Sequence, residues 1–311
     1  MPNRPSPPGP PKPPGAGRPA QLGAAQGRVR PGAERRGARR TLAVASGKGG
    51  VGKTNIAANL ALALGQKGKQ VLLVDGDLGL SSVDLLLGMS PRHTLRDVVL
   101  GRKSIEDVML DGPCGIRVLP ASNGVEELAN LDDFRRERLV RSLHHVAADL
   151  DFVLVDTGAG IARNVTSLAL AADEVLVVTT PEPPSFSDAY ALIKILARRS
   201  LGAPPRLVVN MVSSQEEWQD VAARIALVSR RFLSLELTQW GYIYEDPAVG
   251  QAVQRQEPLL QAFPYSLASK CIQQLAARVL EDPGKGCSGL EGFLRRVEPD
   301  ETVVDARESI G

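Results

Sequence analysis

Ser46-Gly47-Lys48-Gly49-Gly50-Val51-Gly52-Lys53-Thr54-Asn55 decides how this chain is read. Gly47 to Thr54 fit the pattern G-x-x-x-x-G-K-[ST], with a second lysine, Lys48, placed inside the loop. Thr41-Leu42-Ala43-Val44-Ala45, just before it, reads as a short buried strand, and Ile56 to Leu64, just after it, as a helix rich in Ala and Leu. Strand, glycine loop and helix form the context in which such a match becomes a phosphate site. Glycines let the backbone curl so that its N–H groups converge. The start of the following helix adds partial positive charge. In such a loop Lys53 reaches the β- and γ-phosphates of a nucleotide, and the Thr54 hydroxyl ligates Mg²⁺. A glycine turn that only joined strand to helix would need neither Lys53 nor Thr54.

Outward from this loop the chain alternates strand and helix. Strands are expected at 41–45, 70–74, 116–119, 152–156, 173–179, 206–210 and 239–243. Helices are expected near 54–66, 133–149, 162–171, 185–199, 214–233, 247–255 and 265–281. Val71-Leu72-Leu73-Val74 and Phe152-Val153-Leu154-Val155 are unbroken apolar runs, the pattern of strands covered on both faces. The expected fold class is therefore α/β, with a doubly wound, mainly parallel sheet.

In such a sheet, ligands sit beyond the carboxyl ends of the strands. The second strand ends in Val74-Asp75-Gly76-Asp77, the fourth in Val155-Asp156-Thr157-Gly158-Ala159-Gly160 and the sixth in Val209-Asn210-Met211. Phosphate donors, three carboxylates and an amide thus converge on one edge. One Asp at a strand end reads as a helix cap. Carboxylates at two strand ends beside a phosphate loop read better as a magnesium–water site.

The bulk composition is that of a globular protein: 43% hydrophobic and 23% charged residues allow a full core, and 4% aromatics mean that Ala, Val, Leu and Ile must build it. The net charge of +2 hides an asymmetry. Residues 1–40 hold nine basic side chains against Glu34, a net of +8, which leaves 28 basic and 34 acidic groups, a net of −6, for the rest. The first 40 residues also contain ten prolines and few large apolar side chains, so a disordered, partly polyproline-II arm is expected there. A solvated tail is the plainer reading of its charge; attachment to DNA or anionic lipid is the sharper one. Cys114, Cys271 and Cys287 are far apart, with no C-x-x-C, which suits a reducing cytosol and gives no support to a zinc ribbon. There is no apolar run of transmembrane length and no secretory h-region.

These residues resemble the MinD/ParA family of deviant Walker A ATPases, whose signature is the additional lysine at Lys48. Within it the chain is similar to the flagellar-number regulators (the FlhG/FleN branch). The likeness rests on Gly52-Lys53-Thr54-Asn55, Asp75-Gly76-Asp77-Leu78-Gly79-Leu80, Asp84-Leu85-Leu86-Leu87-Gly88, Asp156-Thr157-Gly158-Ala159-Gly160-Ile161 and Ser187-Asp188-Ala189-Tyr190-Ala191-Leu192-Ile193-Lys194, and covers residues 41–281. The resemblance implies a P-loop ATPase domain over 41–281 with ATP and Mg²⁺ as cofactors. Gly47, Lys48, Gly49, Gly50, Val51, Gly52, Lys53, Thr54 and Asn55 would bind ATP, with Asn210 at the adenine. It implies a homodimer that closes face to face on two nucleotides, Lys48 reaching the partner's phosphates as an arginine finger does. Asp77 would position the attacking water, Asp75 would support the switch region, and Asp156 would hold Mg²⁺ alongside Thr54. Hydrolysis would release the dimer, making a slow timer. The implied task is to set the number or placement of a cellular structure, most readily flagella, from the cytoplasm or the inner face of the membrane.

Four features depart from the family pattern. Gln21 to Arg30 do not reproduce the D-Q-A-x-x-L-R stretch that many flagellar homologues link to a partner GTPase, FlhF. Tyr244 stands in Tyr242-Ile243-Tyr244-Glu245-Asp246 where the family has a proline. In the tail, 282–311, Leu290, Phe293, Leu294 and Val297 form an apolar stripe beside Arg295 and Arg296, as in a membrane-docking helix. The stripe is not terminal, and Glu298, Asp300, Glu301, Asp305 and Glu308 follow it, so a helix folded back onto the protein is an equal expectation. The alternative function is a ParA-like partition or cargo-positioning ATPase that binds DNA through the arm, Arg198-Arg199 and Arg230-Arg231. An iron–sulfur carrier ATPase lacks its cysteine pair here, and a tyrosine kinase of related fold lacks its tyrosine-rich tail. Lys53, Thr54, Asp77 and Asp156 together argue against a non-hydrolysing module.

Overall fold

Unbroken apolar strands need cover on both faces, and the computed structural model, which describes residues 40–77, 83–120, 146, 149–199, 203–282, 284 and 289–297, supplies it. The strands are β1 (Arg40–Ser46), β2 (Val71–Gly76), β3 (Leu110–Asp111), β4 (Arg117–Pro120), β5 (Phe152–Ala159), β6 (Glu174–Thr179), β7 (Arg206–Val212) and β8 (Thr238–Tyr244). They form one sheet in the order β3-β4-β2-β5-β1-β6-β7-β8. Every pairing is parallel except that of β3, a two-residue edge strand antiparallel to β4. The helices are α1 (Lys53–Gln66), α2 (Val83–Leu86), α3 (Leu95–Val99), α4 (Ile105–Val108), α5 (Arg163–Ala171), α6 (Pro183–Arg198), α7 (Gln215–Leu233), α8 (Pro247–Arg255), α9 (Leu259–Ala262), α10 (Leu267–Glu281) and α11 (Gly289–Arg296).

Alternation along β1 builds two cores at once. Leu42 and Val44 pack with α1, α9 and α10, while Ala43 and Ala45 face α5, α6 and α7 on the other side. The doubly wound expectation is met, and all seven expected strands are present. The short helices α2, α3, α4 and α9 and the edge strand β3 were not expected. The helix expected over 133–149 lies outside the described residues apart from its tail end, as do the arm up to residue 39, Leu78-Gly79-Leu80 and the acidic run after Val297.

Two findings revise the boundaries. β1 begins at Arg40, which the composition groups with the arm but which is buried. Its guanidinium pairs with Glu174 through Nε–Oε1 at 2.7 Å and Nη2–Oε2 at 2.9 Å, and Nη1 donates to the carbonyls of Val279 and Asp282. Arg206 Nη2 joins the same group, 3.2 Å from Glu174 Oε2 and 3.1 Å from Asp282 Oδ2. Two arginines and two carboxylates thereby tie β1, β6, β7 and the end of α10 together. In addition, α11 folds back onto the domain. Leu290, Phe293, Leu294 and Val297 are all at most 4% exposed within the core on the α5 side, so this stripe is covered by protein and offers no membrane-docking face here. Arg296 fastens the helix end, Nε donating to the Ala171 carbonyl at 2.8 Å and Nη2 to Asp173 Oδ1 at 3.1 Å.

Candidate nucleotide site

β1 runs into the loop and α1 starts at Lys53, with Gly52 as its N-cap residue at φ 84°. Unlike α7, α8 and α10, whose first amides are capped by Ser214, Asp246 and Ser266, α1 has no side-chain cap and no acidic residue in its first turn. Its N-terminal N–H groups therefore face the cleft, which is the condition for holding an anion. Two glycines are required by close approach. A Cβ at Gly47 would stand 2.1 Å from the Asp188 carbonyl oxygen of α6, and one at Gly52 would stand 2.4 Å from Asn210 Nδ2.

Around the loop lies a cleft of about 410 Å³, whose lining includes Lys48, Gly49, Gly50, Lys53, Thr54, Asp77 and Asn210. Of the expected site residues all line it except Gly47, Asp75 and Asp156, the two carboxylates being buried in β2 and β5. Sheet register explains the acidic group: Asp156 on β5 lies between Val44 of β1 and Asp75 of β2. The ammonium of Lys53 rests on Asp156, Nζ to Oδ1 at 3.1 Å, with both side chains buried. Burial raises the Asp156 carboxyl above the ordinary range, against the pull of Lys53 and of a hydrogen bond with Thr54. Burial, reinforced by the Asp156 charge, pushes Asp75 up to about 7 despite bonds from the amides of Asp77 and Val83.

The residues fit a magnesium–nucleotide ligand. Asp156 Oδ2 is buried without a hydrogen-bond partner, next to the Thr54 hydroxyl that bonds this carboxylate. Among the described residues no group of three or more His, Cys, Asp or Glu side chains could cage a metal. A hard cation that takes one or two protein oxygens and completes its shell from phosphate and water matches that donor set.

Three features were not read from the sequence. Lys48 does not extend freely into solvent: its Nζ lies 2.6 Å from Glu182 Oε2 at the start of α6. Asn210, expected at the base, does line the cleft, but its Nδ2 donates to the Val51 carbonyl at 2.8 Å, so it also braces the phosphate loop. The cleft also has an apolar slot, lined by Ile243, Val249, Leu259, Ala268 and Ile272. Tyr244 packs edge-on against Tyr242, ring centroids 5.1 Å apart, and the proline of this segment comes later, as Pro247 in the first turn of α8. The clusters offered for DNA contact lie elsewhere: Arg230 is paired with Glu236 at 2.7 Å, and Arg198 lines a separate groove with Tyr190, Lys194 and Phe232.

An uncapped helix N-terminus, a buried lysine on a strand-end carboxylate, and a hydroxyl beside a spare carboxylate oxygen define a P-loop nucleoside triphosphatase. Comparison with known proteins places it more closely. The AAA domain family matches residues 39–200. Antiactivator FleN of Pseudomonas aeruginosa is 43% identical over 258 residues, covering 82% of this chain and 92% of that protein. The flagellum site-determining protein YlxH of Helicobacter pylori is 31% identical over 85% of this chain and 91% of its own length. Among solved structures, the septum site-determining protein MinD of Pyrococcus horikoshii complexed with Mg-ADP aligns with a TM-score of 0.62 and 28% identity, over 77% of this chain and 95% of that one. The chain belongs to the MinD/ParA family of P-loop ATPases, and it is an ATPase that uses ATP and Mg²⁺. Among the described residues no helix is long and apolar enough to cross a membrane.

Proposed function

We propose that this ATPase is a dimerisation switch that controls the number or placement of flagella, acting as an antiactivator on a flagellar regulator. The observation that carries the reading is the cleft itself, with its phosphate loop, Lys48 at the rim and Asp77 within, in a chain whose relatives include FleN and YlxH. One relative, MinD of Aquifex aeolicus, has been solved as a MinC:MinD complex, which supports a role that engages a partner protein.

In this reading the loop amides and Lys53 grip the β- and γ-phosphates, and Lys53 leaves Asp156 to do so. Asp156 and Thr54 would hold Mg²⁺, which would supply charge neutralisation on the phosphate oxygens. Asp77 orients the attacking water; its backbone N–H is held 3.2 Å from Asp75 Oδ1. Lys48 exchanges Glu182 for the phosphates of a facing copy and offsets charge that develops as the γ-phosphoryl leaves. Hydrolysis ends the pairing.

Asp77→Ala should lower kcat by about 100-fold or more while ATP affinity stays within about threefold, and the variant should accumulate as an ATP-bound dimer in light scattering. In P. aeruginosa lacking FleN, the parental chain should restore flagellar number and Lys53→Ala should not. Turnover at the parental rate in Asp77→Ala would remove the mechanism. Unchanged flagellar counts with the parental chain would remove the biological role.

A further inference from the structure

A groove of about 460 Å³ lies between the C-terminal half of α6 and the last turn of α7, and it shares no lining residue with the nucleotide cleft. Tyr190, Lys194 and Arg198 line it from α6 and Phe232 from α7. Among the described residues the lining holds two cations and no carboxylate. Phe232 is 65% exposed, and the Arg231 guanidinium lies over its ring, 5.5 Å from the centroid. A basic side chain in the last turn of a helix complements the helix dipole, which accounts for Arg198 but not for Lys194 a turn earlier or for the two aromatic rings. Cations set around exposed rings suit a peptide that carries carboxylates on either side of apolar side chains. Such a groove is also a local exception, since the chain after residue 40 carries a net of −6.

One segment of this chain has the matching chemistry. Residues 298–311, which lie outside the described residues, hold Glu298, Asp300, Glu301, Asp305 and Glu308 against Arg307, a net of −4. Asp300 and Glu301 on one side and Asp305 on the other bracket Val303-Val304. The fold sets where this segment begins. Arg296, at the end of α11, is bonded to the Ala171 carbonyl and to Asp173, just ahead of β6. The C-terminal ends of α6 and α7 lead into β7 and β8. Because β6, β7 and β8 are parallel neighbours, all these ends lie along one edge of the sheet, and α11, α5, α6 and α7 pack in succession on one face. At roughly 10 Å between neighbouring helices, the groove is about 25 Å from Val297. The segment's 14 residues span up to roughly 46 Å when extended, so it reaches the groove with chain to spare.

We propose that the acidic tail, residues 298–311, docks in the groove between α6 and α7, its carboxylates at 300, 301 and 305 meeting Lys194 and Arg198 and its Val303-Val304 pair meeting Phe232. Tethering favours the contact, because a short linker holds the tail near the groove at an effective concentration on the order of millimolar. The docked tail covers the groove, so an acidic partner or a polyanion that uses this surface must first displace it. The contact stands apart from the reading of the nucleotide cleft.

The test places the photoreactive residue p-benzoylphenylalanine at position 304 of the full chain, irradiates the purified protein and maps the cross-link by peptide mass spectrometry. The adduct should fall within 190–198 or 231–234, and its yield should drop at least about fivefold in about 1 M NaCl, where exposed charges are screened. Lys194→Glu combined with Arg198→Glu should lower the yield to a similar degree. Adding Asp300→Lys, Glu301→Lys and Asp305→Lys to that variant should restore it, a rescue that a misfolded groove could not show. An adduct on another face, or a yield indifferent to the groove charges, would overturn the proposal. So would an adduct joining two copies, which would give the groove to a neighbour's tail, or one to a copurified protein or nucleic acid in place of the groove.

Discussion

Lys48 shows what a single residue reveals and conceals. Its type and place in the loop are legible in the sequence, because a glycine loop before a helix is a local construction. Its partner is not legible, because Glu182 lies 134 positions away and reaches it only through the neighbouring strands β1 and β6. The pair is solvent-exposed, so its worth to folding is small, about 0–1 kcal/mol. Under the proposed pairing its consequence lies in availability, since a lysine engaged at home is withheld from a facing copy. Glu182→Gln should leave the melting temperature within about 1 °C yet strengthen ATP-driven pairing, measured as the dimer dissociation constant by sedimentation in a non-hydrolysable ATP analogue. A dissociation constant equal to the parental one would show that the contact restrains nothing.

Elements were legible in proportion to their length. The long amphipathic and apolar runs gave the seven main strands and six of the helices within a few residues, since burial on a repeating face leaves a periodic trace. One-turn helices leave none. α3 and α4 are held by Thr94 with Asp97 and by Ser104 with Asp107, reciprocal caps in which each side chain meets the other's backbone. The spacing of hydroxyl and carboxylate three residues apart was the available clue. A more consequential cap is Asp246, which accepts from Ala248 N at 2.9 Å and from Ala268 N at 3.0 Å, joining α8 to α10 at the apolar slot. Desolvation is the largest single influence on this carboxyl and pushes it up, but the amides of Ala268 and Ala248 and the Ser266 hydroxyl outweigh it and hold it below the usual range. Asp246→Ala should cost about 1–2 kcal/mol at neutral pH. A depressed carboxyl contributes stability above its unfolded pKa and loses it on protonation. The gap between parent and variant should therefore persist down to about pH 5 and close below about pH 4 in urea melts. A gap that stayed constant through that range would show that the charge plays no part.

At the scale of the whole molecule the sheet class, the site edge and the phosphate loop were all readable, because parallel strands advertise themselves as unbroken apolar runs and their carboxyl ends gather the polar residues. Strand order and register were not. They alone place Asp75 beside Asp156, and they carry Arg40 from an apparently basic leader into the protein interior. That last placement has a practical side. An experimentalist trimming the proline-rich leader by eye would cut before Thr41 and discard the cation that neutralises Glu174 across the sheet's foot. A protein shortened to begin at Thr41 should melt several degrees below one that begins a few positions earlier, because stranding a buried charge costs about 3 kcal/mol even where Arg206 stays behind. Identical melts would mean that Arg206 alone suffices. Where the scissors fall, by one residue, would then decide whether β1, β6 and the end of α10 stay stitched.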